Sequence, residues 1–282
     1  EQGILEHLKI AHSWLAVRIY SGHWTIRHSV LRDHYTGLEA RGNSVVSVEN
    51  VLFKNNLNWP IRMYVSATAV PQVSMAHITV DGSPYYAVRY DLVGTDPATS
   101  ALTVVNSIFQ GYGGFYDTRS LSGITLNDRY ENCAFEPTSL PPAAMRTMCQ
   151  SVSDWSTVFD SSTVGNYYLK PTSSLIDAGK RTTQILSILK DRTTKAPASL
   201  TSPISSETVI ERLPRDAELF ADLPDLGYHY QAVDALIDSS GLIVNSDLAV
   251  QPGAVISSLG EITVGSNGLL LGTQAVVDGC GY

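Results

Sequence analysis

The sequence predicts an all-β chain wound as a parallel β-helix with three-strand rungs, and three observations predict it. First, an apolar residue, one spacer, a His or Asn, and an apolar residue three further on recur six times. The copies are Leu5/His7/Ile10, Ile26/His28/Leu31, Val48/Asn50/Phe53, Met75/His77/Val80, Val104/Asn106/Phe109 and Tyr130/Asn132/Phe135. Second, successive His or Asn anchors lie 21, 22, 27, 29 and 26 residues apart, a period in the range of solenoid repeats. Third, each copy is rich in β-branched and aromatic residues with strand alternation around the anchor, not helical spacing.

The anchors come first in each rung. Asn tolerates a left-handed backbone, and its amide both donates and accepts, so a column of such residues suits a tight bend between two short strands. A third strand follows 10 or 11 residues past each anchor, in Val17-Arg18-Ile19-Tyr20, Leu38-Glu39-Ala40-Arg41, Ile61-Arg62-Met63-Tyr64, Val88-Arg89-Tyr90-Asp91 and Tyr116-Asp117-Thr118-Arg119. Because that offset is constant while rung length varies, insertions fall mainly after the third strand. Alternation turns Val17, Leu38, Ile61 and Val88 inward. It leaves two outward columns, Arg18/Glu39/Arg62/Arg89/Asp117 and Tyr20/Arg41/Tyr64/Asp91/Arg119.

These residues carry a family resemblance. With the anchors Asn50, Asn106 and Asn132 and the phrase Val48-Glu49-Asn50-Val51-Leu52-Phe53-Lys54-Asn55-Asn56, residues 1–136 resemble the right-handed parallel β-helix repeats of the pectate-lyase-like superfamily. Tyr168-Leu169-Lys170-Pro171, Leu175-Ile176-Asp177-Ala178-Gly179 and Pro224-Asp225-Leu226-Gly227-Tyr228-His229-Tyr230 are similar to the closing segment of β-helix domains in large secreted or cell-surface bacterial proteins. The resemblance implies right-handed winding, as the crossover preference also does, and a secreted or cell-surface setting. Its members include lyases, hydrolases and adhesins, so it implies architecture and not one activity.

Residues 137–235 read as a final partial rung, a cap and a linker. Pro137, Pro141 and Pro142 interrupt the pattern, a strand is expected at 166–169, and a Ser/Thr/Pro-rich stretch runs from Thr193 to Ser206. A short helical turn is expected at 211–220. A solenoid end exposes apolar groups and strand edges, which a cap must cover. Residues 236–282 read as the start of a second, slimmer β-helix, with short strands at 242–244, 248–250, 254–256, 261–264, 269–271 and 275–277 between Gly, Asn, Asp and Pro. Both ends look cut from a longer chain whose neighbouring domains would be partners.

The chain has 282 residues, 44% hydrophobic and 16% charged, with a net charge of −8, so it can build a long core and is a poor match for nucleic acid. No apolar run is long enough to span a bilayer. Cys133, Cys149 and Cys280 have no metal-ligand spacing. A Cys133–Cys149 bridge and plain core packing both remain open, although Cys133 follows its anchor as Ser29 and Ser107 follow theirs.

The third-strand face carries the candidate chemistry. Arg pairs with carboxylates in two-point contacts and Tyr stacks on sugars, so Arg18, Tyr20, Arg41, Arg62, Tyr64 and Arg89 are the candidate ligand-binding residues for an acidic glycan. The same columns alternate in sign, which also suits cross-rung ion pairs on a solvated sheet. A lyase could use Arg62 and Arg89 as base and neutraliser, and a hydrolase could use Asp91 and Asp117 as paired carboxylates. No acidic cluster marks a calcium site, and His7, His28 and His77 suit ladder hydrogen bonding better than metal ligation. Asp177-Ala178-Gly179 and Asp225-Leu226-Gly227 suit turns, and Tyr228-His229-Tyr230 suits a capping strand. The expected function is a noncatalytic structural or adhesive module that binds polysaccharide, with a polysaccharide lyase or glycoside hydrolase as the alternative.

Overall fold

The computed structural model describes residues 1–117, 121–218, 221–272 and 276–278. The chain is an all-β solenoid of parallel, stacked coils, and among the described residues one α-helix, Thr183–Leu189, accompanies the strands. Two compact units interleave along the sequence. One comprises Glu1–Thr157, Ser174–Ile188 and Leu223–Tyr228, and the other Val158–Ser173, Leu189–Asp222 and His229–Tyr282.

In the first unit each strand pairs with its counterpart one coil on, in three parallel ladders. The first ladder runs Gln2–Glu6, the start of His23–Arg32, the start of Val45–Lys54, Gln72–Ala76, Leu102–Val105, Arg129–Glu131 and Arg146–Thr147. The second, past the anchors, runs from Lys9–Ala11 to Ala134–Phe135 and Gln150–Ser151. The third joins Leu15–Ile19, Thr36–Ala40, Trp59–Val65 and the end of Thr79–Leu92. Parallel stacking thus continues past Phe135, although Pro141 and Pro142 intervene.

The anchors bend as their residue types allow. His7, His28, Asn50, His77, Asn106 and Asn132 all have φ between 50 and 55°, the left-handed region that Asn and His enter more readily than most residues. A second left-handed column lies five residues past each of the first five anchors: His12, Asp33, Asn55, Gly82 and Gly111. Its members are also turn formers, but their varied identities hide the repeat. The two bends enclose the second ladder between them.

Between the ladders lies an apolar core. Leu31, Phe53, Val80, Phe109 and Phe135 succeed one another in register, and all are fully buried. Phe109 and Phe135 stack with centroids 5.4 Å apart and planes 17° apart. Aromatic side chains stacked rung upon rung bury large apolar areas at ordered geometry, which fixes the register of the outer faces.

The second unit repeats the device with shorter strands. Ala198–Ser199, Ala235–Ile237, Val255–Ser258 and Val276–Asp278 form one parallel ladder; Thr208–Ile210, Asp247–Val250 and Leu269–Gly272 form another; Leu242–Val244 and Ile262–Val264 pair in a third. Its core includes Ile210, Ala235, Ile237, Leu242, Val244, Leu248, Val250 and Ile256. The expected helical turn at 211–220 is not seen in its described part, residues 211–218, which hold only a turn at Asp216 and Ala217. Pro214 lacks an N–H, and side-chain pairs hold the segment instead. Arg215 meets the buried Asp234 through two bonds of 2.6 and 2.9 Å, and Arg212 binds Glu218 at 2.7 Å.

Candidate functional site

The third ladder presents the charged face. Its register makes Arg18, Glu39, Arg62 and Arg89 successive neighbours and sets Tyr64 beside Asp91. Arg119 lies outside the described residues. Inward alternation at Val17, Leu38, Ile61 and Val88 holds the intervening side chains outward, as all four are buried.

On this face every described carboxylate is held by arginine. Glu39, only 2% exposed, accepts from Arg18 Nε at 2.6 Å and Arg41 Nε at 2.7 Å, with Arg62 3.7 Å from its other oxygen. Asp91 accepts from Arg62 Nε at 2.6 Å and from Arg89 at 2.7 Å. Arg89 also donates to Asp117 at 3.0 Å. The chain of contacts therefore links Arg18, Glu39, Arg41, Arg62, Asp91, Arg89 and Asp117.

Aromatic rings hold the guanidinium groups from the side. Arg41 lies 3.9 Å from the Tyr64 ring centroid and 5.6 Å from that of Tyr20. Arg62 lies 4.7 Å from Tyr64 and 4.8 Å from Trp59, and Arg89 lies 4.2 Å from Trp59. Such contacts are attractive because the ring face carries negative charge density. All six expected ligand residues thus share one surface, but their charges are turned toward each other.

This geometry bears on acid–base chemistry. Burial works to raise the Asp91 pKa, yet the hydrogen bonds from Arg89 and Arg62 outweigh it and hold the carboxylate below its usual range. A general base works best with a pKa near the operating pH, and Asp91 moves away from it. Asp91 and Asp117 are joined through Arg89, and Arg62 and Arg89 are both committed to Asp91. Burial, the leading influence, raises the Tyr64 phenol.

Beside the network is a groove of about 510 Å³ lined by Tyr35, Asn58, Trp59, Tyr85, Tyr86, Arg89 and Asp117. The Tyr35 ring stacks on Trp14 at 3.9 Å and 8°, and meets the edge of Trp59 at 5.6 Å and 87°. Trp59 shares strand parity with the inward Ile61, so alternation alone conceals it; its ring nonetheless lies against Arg62 and Arg89. Tyr85 and Tyr86 follow Pro84 in the excursion between the second and third ladders. Their signal in the sequence is the aromatic pair after Gly82-Ser83-Pro84, which the anchor repeat does not include.

The remaining candidates make contacts within the fold. His7 and His28 stack at 5.5 Å, Asn50 meets the His28 ring at 3.2 Å, and Asn106 meets that of His77 at 3.1 Å. Among the described residues no three His, Cys, Asp or Glu side chains converge on a point that could hold a metal ion. Asp177 has φ of 54° and its N–H donates to Asp225 at 2.9 Å, as in a turn. Tyr228 and His229 are buried, and His229 binds Asp216 at 2.6 Å. Cys133 and Cys149 are free thiols in the same column of adjacent coils, and Cys280 lies outside the described residues.

Neither the sequence nor the fold adds a relative: no family model, no curated protein and no solved structure matches the chain. Its class is therefore defined by its own geometry, a parallel β-solenoid with a paired arginine–carboxylate face beside an aromatic groove. Among the described residues, no helix is long and apolar enough to cross a membrane.

Proposed function

We propose that this chain is a noncatalytic adhesive or structural module of a larger secreted or cell-surface bacterial protein, with its third-strand face as the surface that binds polysaccharide. In this proposal its coils have the right-handed winding of the pectate-lyase-like superfamily, which the rung motifs resemble. Neighbouring domains of the same longer chain are its other partners. The observation that carries the noncatalytic part is the pairing of Glu39, Asp91 and Asp117 with arginines. The hydrolase alternative needs paired carboxyl groups able to exchange a proton near neutral pH, and the depressed Asp91 does not supply one.

The test is a glycan array and a depolymerisation screen on the same purified chain, with and without calcium. Binding without cleavage supports an adhesive module, and neither activity leaves a spacer. Chain cleavage that disappears in Arg62→Ala or Arg89→Ala would instead establish a polysaccharide lyase or glycoside hydrolase.

A further inference from the structure

We infer that the groove beside the paired face takes a neutral polysaccharide, with pyranose rings seated on aromatic side chains, in preference to an acidic one; this rests on the adhesive reading above. Two observations converge on it. The charged lining, Arg89 and Asp117, is a bonded pair at 3.0 Å, and the next acid, Asp91, holds Arg62 and Arg89. An incoming uronate would have to displace one of these carboxylates from arginine, or enter beside them as a like charge. Either costs more than seating an uncharged ring, because an anion must be desolvated without a free counter-charge.

The rings available to a ligand are exposed. Trp14 is 70% exposed and Tyr85 53% exposed. Trp14 lies flat on Tyr35, which continues into the groove wall. Flat aromatic faces attract the weakly positive C–H faces of pyranose rings through the same quadrupole that draws cations. The groove therefore offers stacking surface at its rim and wall, with polar groups between.

The experiment is calorimetric titration of the full chain with neutral oligosaccharides, β-1,4-linked glucose and mannose oligomers, and with oligogalacturonate, each at low and high salt. The expected result is binding of a neutral oligomer that salt barely changes, with affinity at least tenfold weaker in Trp14→Ala or Tyr85→Ala. Both positions are exposed, so these variants keep the core, and their unchanged thermal unfolding confirms it. Preference for oligogalacturonate, weakened by salt, would overturn the inference while leaving a glycan-binding module. Binding of a neutral oligomer unaffected by either substitution would place the site elsewhere and also overturn it. No binding to any of these oligomers, together with a blank glycan array, would overturn the adhesive reading itself.

Discussion

Arg62 and Arg89 stand directly across from each other in adjacent coils, and Asp91 accepts a hydrogen bond from both, at 2.6 and 2.7 Å. Like charges placed opposite on neighbouring strands repel. Asp91, two residues further along the strand than that pair, converts the repulsion into a bridge.

Asp91→Asn should therefore destabilise the protein by about 1.5–3 kcal/mol near neutral pH, the usual worth of hydrogen bonds to a charged group. Burial acts against the charge, but the bonds from Arg89 and Arg62 dominate and lower the Asp91 pKa. A carboxylate with a depressed folded pKa contributes stability above its unfolded value of about 4 and loses it as the pH falls through the folded value. Urea denaturation from pH 7 to pH 2 should show wild type and variant converging on the acid side. A constant gap would show that the bridge does not set this pH dependence.

Asp128 should behave in the opposite sense. It is buried with its oxygens receiving the hydroxyls of Ser100, Tyr90 and Tyr116 at 2.5, 2.7 and 2.8 Å and of Tyr130 at 3.3 Å. Burial raises its pKa, and the hydroxyl bonds only partly oppose the rise. The folded state then holds a proton that the unfolded state has released, so stability falls as the pH rises from about 4 through the folded pKa. Asp128→Asn should remove that decline, and the variant should gain on wild type with rising pH. A parallel pair of stability curves would contradict the assignment.

Phe109→Ala tests the core register. The ring is fully buried, stacked on Phe135 and edge-on to Phe115 at 5.3 Å. Removing it should cost about 3–5 kcal/mol in chemical denaturation. A loss below about 1 kcal/mol would mean that the site collapses freely or that the ring is not packed this way.

The two thiols of the first unit should differ in reactivity. A hydrogen bond from Cys133 leads the lowering of the Cys149 pKa to about 7, while burial pushes that of Cys133 well up. The thiolate is the nucleophile. In a Cys280→Ser background, iodoacetamide should modify Cys149 first, with a half-maximal rate near pH 7, as read by peptide mass. Faster labelling of Cys133 would reverse the assignment.

How much of this was legible follows the distance over which each feature is encoded. The anchors were legible because His and Asn recur in one local pattern, and their shared φ follows from residue type. The third strand was legible from its constant offset, which placed Arg18, Arg41, Arg62 and Arg89 on one face. The second bend was hidden because His, Asp, Asn and Gly all satisfy it, so no single letter repeats. The groove was hidden because Tyr35, Trp59 and Tyr85 come from different coils and different phases of the repeat, and only stacking brings them together. Which charges are paired depends on side-chain reach across coils, as with Arg62 and Asp91.

Met148 shows the same limit and gives the last prediction. Tyr130 and Glu131 pair with Arg146 and Thr147, so Met148 occupies the anchor column after Asn132. It bends as the others do, with φ of 53°, although it is neither Asn nor His and so does not carry the anchor's residue type. A left-handed backbone costs an ordinary L residue about 1–2 kcal/mol, while Asn offsets part of that through local hydrogen bonding. The Met148 side chain is 79% exposed, so replacing it sacrifices little packing. Met148→Asn should therefore stabilise the protein by about 0.5–1 kcal/mol, and the β-branched Met148→Val should destabilise it by a similar amount. Thermal unfolding of the two variants against wild type measures both. Equal midpoints for Asn and Val would mean that the last coil relaxes out of the left-handed bend, and that the anchor column ends at Asn132.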